Sequence, residues 1–415
     1  MIKSLGIHTI DITNSTGNFE HIKNIFEAFR FSKEEQSHIN EFLFENGKPK
    51  PVSKAARASL GIRGINYLLV YQVVIRANPI YYVKLRMDPA YFLSSSPQID
   101  LFHNNVFNVV RLADSFRETM KKYFPDDDMD WFCTFGRWEP RRIDCTMNIE
   151  MPSQEDLNRF LDVTKTSGFL SRIKSLYLPS DYDDFDYDEH ESTAAGNKSW
   201  KGTLYDKKKE VAEKYSWLPQ DEYERMLSEA TNIIRFEAQC NKGTLRGIAE
   251  KYKFKTPSIV NFLLNSKMVQ ETLFNKYLQV VGFGDFYTIQ KVRHIIKKDT
   301  SLHLSDCLKR NLYRFMRVAG TCNTFADVKE KFIKGVKLAV KGKRVLMGGS
   351  SPTYYKLRSY LMGLDINPLP IKKSVYGVNY IKNPVSPYDF PKVVGSTDNA
   401  IKVSMEYLLN ETNLT

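Results

Sequence analysis

The chain has 415 residues, a formal charge of +12 and ordinary apolar and charged fractions, which predicts two folded domains and excludes a disordered, collagen-like or coiled-coil chain. Its longest apolar stretch, 64–75, is too short to span a bilayer and is closed by Arg63 and Arg76. The N-terminus has neither the apolar core nor the cleavage site of a signal peptide, so the expected location is the cytoplasm, with no membrane partner. The five cysteines, Cys133, Cys145, Cys240, Cys307 and Cys322, are scattered and never form a C-x-x-C pair, which argues for reduced thiols rather than a disulfide framework or a structural zinc.

In chain order, residues 65–75 and 80–87 predict two strands around the break Ala77-Asn78-Pro79, a candidate hairpin. A helix is expected from about Leu112 to Tyr123, then a strand over Arg142–Ile149. Ser153, placed before Gln154-Glu155-Asp156, is suited to cap a helix running to about Lys165. Residues 181–191 hold seven acids in eleven positions. Asp184-x-Asp186-x-Asp188 has the spacing of a calcium loop, but Glu189 stands in place of the turn glycine and Ala195 in place of the closing Glu, so a solvated loop is expected. A short strand then ends at Tyr205, followed by a charged helix, a helix around Asp221–Thr231 and a strand Ile233–Cys240. From about Lys251 the pattern is mainly helical.

Three of these elements carry chemistry. In Arg142–Ile149 the polar residues occupy alternate positions, so Arg142, Asp144, Thr146 and Asn148 share one face, expected to meet water or a cleft. In Ile233–Cys240 the polar residues Arg235, Glu237 and Gln239 alternate in the same way. Two strands of one sheet would then offer Asp144 and Glu237 to one site, and paired carboxylates are the hard oxygen ligands that Mg²⁺ or Mn²⁺ requires. The same charges also suit cross-strand ion pairs on an exposed face. In the third element, Tyr205 ends a strand and opens a helix whose first turns carry Lys207 and Glu210, which places a phenol where backbone N–H groups and a cation favour its ionised form. There is no His-x-His pair, phosphate-binding G-x-x-x-x-G-K-[ST] loop or H-E-x-x-H motif, so no ATP is expected to be consumed.

The basic charge is concentrated: Gln290 to Arg344 holds fifteen Lys or Arg against four acids, a composition suited to a nucleic acid. Helical spacing over Phe325–Val340, a Gly348-Gly349-Ser350-Ser351-Pro352 turn and a helix Thr353–Leu361 follow the order of a helix-turn-helix with a long connection. Tyr354, Lys356 and Arg358 are the candidate DNA contacts. Two helices packed on a catalytic domain would read the same way.

The order Arg142-Ile143-Asp144, then Tyr205-x-Lys207-x-x-Glu210, then Arg235-Phe236-Glu237-Ala238 resembles the gene II replication initiators of filamentous phages, and the likeness runs from Lys84-Leu85-Arg86-Met87-Asp88-Pro89 to the basic C-terminal helices. The resemblance implies an enzyme that nicks the viral strand of double-stranded replicative-form DNA at its origin, stays joined to the 5′ end through a tyrosine, and recircularises the displaced single strand. Host helicase and polymerase are the implied partners, and the bacterial host cytoplasm the implied place. It puts the nucleophile on Tyr205, the Mg²⁺ or Mn²⁺ ligands on Asp144 and Glu237, and phosphate-holding or orienting roles on Arg142 and Arg235. Lys207 would stabilise the tyrosinate or the phosphate, and Glu210 would be a third ligand, a base or a partner of Lys207. Rejoining by a second protomer of a homodimer, or by reuse of Tyr205 through the released 3′-hydroxyl, stays open.

The expected fold class is therefore α+β: a strand-rich catalytic domain with an antiparallel sheet over 1–245, followed by a mainly helical, basic DNA-binding domain over 246–415. The rival readings are a non-enzymatic origin-binding protein or repressor, which needs the basic helices but not Tyr205, and a conjugative relaxase, which shares the chemistry.

Overall fold

The computed structural model describes residues 1–33, 48–53, 55–167, 192–254, 258–322, 325–340 and 342–385, together with 41, 43–45, 174 and 175. The expected acidic loop at 181–191 lies outside the described residues. The fold is α+β with a large antiparallel sheet. By its contacts the chain divides into two units: Leu5–Thr146 with Gln239–Glu271, and Met1–Ser4 with Met147–Ala238 and 272–385. The strands β1 (Ile2–Thr16) and β7 (Glu139–Glu150) contribute residues to both.

In the first unit, the short pair β2 (Phe44–Glu45) and β3 (Lys48–Pro49) precedes β4 (Ala56–Ala58), β5 (Ile65–Ile75) and β6 (Asn78–Met87). The sheet runs in the order β4-β5-β6-β1-β7. The β5–β6 hairpin turns at Arg76 and Ala77, whose φ values of 51° and 69° are those of a two-residue type I′ turn. The turn therefore comes before Asn78 and Pro79, which pair with Ile75 and Val74 in the ladder rather than forming the expected break.

Alternation sorts this sheet into two faces. Leu68, Val70, Tyr81, Val83, Leu85, Ile10 and Ile12 are buried on one face. The helix Phe19–Ala28 lies against it, with Phe19 5.8 Å from the Tyr81 ring. Its N-cap Asn18 accepts a hydrogen bond from the Glu20 N–H, and its apolar positions Ile22, Ile25 and Phe26 recur at helical spacing and are buried. A second helix, Val106–Lys121, starts six residues earlier than the sequence pattern predicts because Asn105 caps it, accepting from the Asn108 N–H at 2.8 Å. Its Phe116 joins Phe92, Phe135 and Trp138 in an aromatic core. Each fully buried ring of this kind contributes on the order of 2–3 kcal/mol.

In the second unit the sheet continues from the end of β7 through β11 (Ile233–Asn241), β10 (Trp200–Asp206), β9 (Ser192–Asn197) and β8 (Lys174–Ser175), in the order β7-β11-β10-β9-β8. The helix Gln154–Ser167 begins where Ser153 predicts, its Oγ accepting from the Asp156 N–H at 3.1 Å. Later come β12 (Phe286–Tyr287), which pairs with β15 (Tyr380–Ile381), and the helices Ile289–Lys298, Asp306–Ala319, Phe325–Lys334, Ser351–Gly363 and Lys373–Tyr376.

The helix expected over Phe325–Val340 stops at Lys334. Gly335, at φ +75°, ends it, and an antiparallel hairpin of β13 (Val336–Val340) and β14 (Lys343–Met347) follows. Val336 and Val340 satisfy a four-residue helical spacing and a two-residue strand spacing equally, which is why the pattern misled. Val292, Leu312, Phe315, Met316, Phe332 and Leu357 form the core of this region, and Val336, Leu338 and Val340 pack against it.

Candidate functional site

Tyr205 lies on β10, one residue before the strand yields to the helix Lys207–Lys214. The change of structure has a local cause: Asp206 is the N-cap, its carboxylate accepting from the Lys208 and Lys209 N–H groups. The Tyr205 hydroxyl donates to Glu237 Oε1 on the adjacent β11 at 2.6 Å. Two residues along β11, Arg235 is wholly buried, and its Nε donates to Asn148 Oδ1 at 2.8 Å while Asn148 Nδ2 donates to Ser4 Oγ at 2.9 Å. These bonds hold the guanidinium in one place. Burial alone would lower its pKa; the neighbouring Tyr205, Glu210, Glu237 and Tyr215 outweigh burial and raise it.

The helix after Tyr205 adds the remaining charges. Lys207 and Glu210 are buried and form an ion pair, and Lys214 bonds the other Glu210 oxygen at 2.6 Å. Burial first, and then the charge of Arg235, push the Lys207 ammonium down to about 8, against the upward pull of Glu210. Lys207, Arg235 and Lys214 thus stand against Glu210 and Glu237, three cations to two carboxylates. One net positive charge around a phenol suits a phosphodiester or a tyrosinate. Tyr205 itself is 3% exposed, so its hydroxyl reaches a polymer only after its surroundings open.

Asp144 and Arg142 belong to the first unit, whereas Glu237 and Arg235 belong to the second. The side of β7 expected to meet water or a cleft is covered: Asp144, Thr146 and Asn148 are all buried. Arg142 clamps Asp144 through two hydrogen bonds, Nε to Oδ1 at 2.8 Å and Nη2 to Oδ2 at 2.7 Å, an ion pair within one strand and around a buried carboxylate rather than a cross-strand pair on an exposed face. Among the described residues no three His, Cys, Asp or Glu side chains gather in the manner of a metal site. Asp144 is held by the Arg142 guanidinium, and Glu237 accepts from the Tyr205 phenol.

In the basic helices, Tyr354 does not reach the surface. It is 2% exposed and packs beside Phe315 and Phe332, its ring centroid 5.6 and 6.2 Å from theirs, because a helix laid on a core must bury one face. Lys356 on the same helix is exposed, Arg358 is partly exposed, and Tyr355 shows half its surface and accepts a hydrogen bond from Lys329 Nζ at 2.7 Å. The β13–β14 hairpin was not foreseen. Its register sets Val336, Leu338, Met347 and Val345 on the core side and Lys337, Ala339, Arg344 and Leu346 on the outer side. Lys337, Lys343, Arg344 and Leu346 are exposed. The alternation of Val336, Leu338 and Val340, followed by Gly342, was the sequence signal for it.

The described residues contain no helix long and apolar enough to cross a membrane, and all five cysteines are free thiols. Compared with known proteins, the chain matches no family model, no curated protein and no solved structure.

Proposed function

We propose that the chain is a rolling-circle replication initiator that nicks one strand of double-stranded DNA at its origin through Tyr205 and later rejoins the displaced strand. The observation that carries this reading is the 2.6 Å hydrogen bond from the Tyr205 hydroxyl to Glu237, set beside the buried cations Arg235 and Lys207. In the proposed step Glu237 takes the phenolic proton and the Tyr205 oxygen attacks phosphorus. The phosphorus–O3′ bond breaks, and Glu237 returns the proton to the 3′-oxygen. The product is a 5′-phosphotyrosine and a 3′-hydroxyl that a host polymerase extends. The reverse attack of a 3′-hydroxyl rejoins the strand. Arg235 and Lys207 offset the charge that grows on phosphorus, and each step runs through protein groups. The resemblance to gene II initiators adds the place, the bacterial host cytoplasm, and the origin as target.

The burial of Tyr205 and the basic helices favour a second reading, a DNA-binding protein without chemistry. One assay decides. Supercoiled plasmid carrying the cognate origin is incubated with the protein and Mg²⁺ or Mn²⁺, and open circles are examined for protein on the 5′ end. A protein that binds the origin and yields no 5′ adduct supports the second reading.

Two further outcomes are expected. If Lys207 works as a cation, nicking declines as the pH rises through about 8, because the ammonium loses its proton there, and Lys207→Arg shifts the decline upward. A pH–rate profile that is the same in both proteins removes Lys207 from the charge-stabilising role. The outer face of the β13–β14 hairpin has the size of a ribbon that a DNA major groove admits. Converting Lys337 and Arg344 to Gln is expected to weaken duplex binding and to lower the slope of log affinity against log salt by about two, near one for each phosphate no longer neutralised. An unchanged slope places the duplex elsewhere.

A further inference from the structure

The first unit carries an aromatic and cationic sheet face that the nicking reading does not use. On the face of β4, β5 and β6 opposite the buried core, three tyrosines and a set of cations lie side by side. Tyr71 and Tyr82 are cross-strand partners with their rings stacked, centroids 5.2 Å apart and planes 14° from parallel. Tyr67 faces Arg86 across the same pair of strands, with the Arg57 and Arg86 guanidinium carbons 4.6 and 5.0 Å and Lys84 Nζ 6.0 Å from its ring centroid. All three tyrosines are partly exposed, and Arg57 is exposed.

The charges continue toward β1 and β7. Asp11 is buried between Arg86 and Lys84, each 2.7 Å away. Burial would raise the Asp11 carboxyl, but the Arg86 hydrogen bond and the charges of Arg86, Lys84 and Arg142 hold it below its ordinary value. Arg141 is close enough for its charge to act on Tyr71. Arg57, Lys84, Arg86, Arg141 and Arg142 stand with the carboxylates of Asp11, Asp144 and Glu139, the last 3.7 Å from Arg141, five cations to three carboxylates. Thr13, the register partner of Lys84 on this face, has a buried hydroxyl without a hydrogen-bond partner among the described residues.

We infer that this sheet face binds an unpaired oligonucleotide strand, its bases stacking on the Tyr71–Tyr82 pair and its phosphates meeting the cations around Tyr67. Physical chemistry selects the single strand over the duplex. Bases in a duplex are stacked on each other and have no face to offer a flat aromatic platform, whereas an unpaired base does. A flat sheet face also lacks the protruding element needed to enter a groove. Stacking is indifferent to the base, so the face suits a strand of changing sequence, such as one displaced during synthesis.

The test uses the full chain carrying Tyr205→Phe, so that no cleavage intrudes and the result is independent of whether Tyr205 is the nucleophile. Fluorescence anisotropy is read with labelled oligo(dT) and oligo(U) of about 12 nucleotides and with a duplex of the same length. Replacing Tyr71 and Tyr82 together by Leu, which keeps apolar bulk and removes the stacking rings, is expected to weaken single-strand binding about tenfold or more while leaving duplex binding unchanged. Arg57→Gln, at an exposed position, is expected to lower the single-strand salt slope by about 0.7. Unchanged single-strand binding in both variants, or equal losses for single strand and duplex, overturns the inference. If the double variant fails to fold, Arg57→Gln still decides through its salt slope. Loss with oligo(dT) but not oligo(U) identifies DNA as the strand held there, and the converse identifies RNA.

Discussion

Tyr205→Phe is expected to bind origin DNA as the unaltered chain does and to leave supercoiled plasmid uncut, with nicking reduced at least about 10³-fold and no protein on any 5′ end. Phe occupies nearly the same buried volume, so the substitution removes a hydrogen bond to the Glu237 carboxylate, worth about 1.5–3 kcal/mol, and should not unfold the sheet. Binding retained with chemistry lost is the signature of a nucleophile rather than a packing residue. Glu237→Gln provides the companion measurement. The amide still accepts the phenolic hydrogen bond but cannot take the proton, and nicking should fall by about 10²–10⁴-fold. If Tyr205→Phe nicks as fast as the unaltered chain, the mechanism is wrong; if only Glu237→Gln does, the phenol loses its proton to another group.

The second large effect is on stability. Glu210 is the partner that holds Lys207 in the interior, where the lysine is 1% exposed. Glu210→Ala strands that ammonium, and unfolding by denaturant at neutral pH should show a loss of about 3–5 kcal/mol. Lys214, which is partly exposed, turns to solvent at little cost.

The pH dependence follows from linkage. The folded pKa of Lys207 is depressed to about 8 from the ordinary lysine value of 10.5. Between those values the unfolded chain holds the proton more tightly, so the unfavourable contribution of Lys207 to stability is relieved as pH rises from about 8 toward 10.5. Removing Glu210 removes a contribution that raises this pKa, and the window opens lower. The deficit of Glu210→Ala is therefore expected to shrink between pH 7 and pH 9, and Lys207→Met placed in the same chain should recover most of it. A deficit that is constant with pH and untouched by Lys207→Met means that Glu210 stabilises the helix in some other way.

Particular residues show how much could be read before folding. The two-residue alternation in Arg142–Ile149 and Ile233–Cys240, the cap at Ser153 and the strand-to-helix change at Tyr205 were all legible. Each depends on neighbours within a few positions in the chain, and local sterics and hydrogen bonds settle such features. The placement of Tyr205, Lys207, Glu210, Arg235 and Glu237 in one cluster follows partly from the same source, since Lys207 and Glu210 are one helical turn apart.

Burial was not legible. Alternation assigns side chains to faces but does not say what covers a face, so Asp144 was expected to meet water or a cleft and is found inside, clamped by Arg142. Tyr354 shows the same limit, since its helix has basic residues around it and only the packing of Phe315 and Phe332 tells which side turns inward. The β13–β14 hairpin was hidden because Val336 and Val340 fit two periods at once, and Gly335 decided between them.

The sequence by itself determined the alternation of the two polar-faced strands, the helix cap at Ser153, the concentration of positive charge between Gln290 and Arg344, and the set of residues from which a tyrosine site could be built. Tertiary structure alone decided which of those residues touch: the Tyr205–Glu237 hydrogen bond joins positions 32 apart, and the Arg235–Asn148 bond joins positions 87 apart. The reason is physical. Local patterns are set by backbone geometry that each residue feels by itself. Contact between distant charges is set by strand order, and strand order is chosen by burial of the whole apolar face.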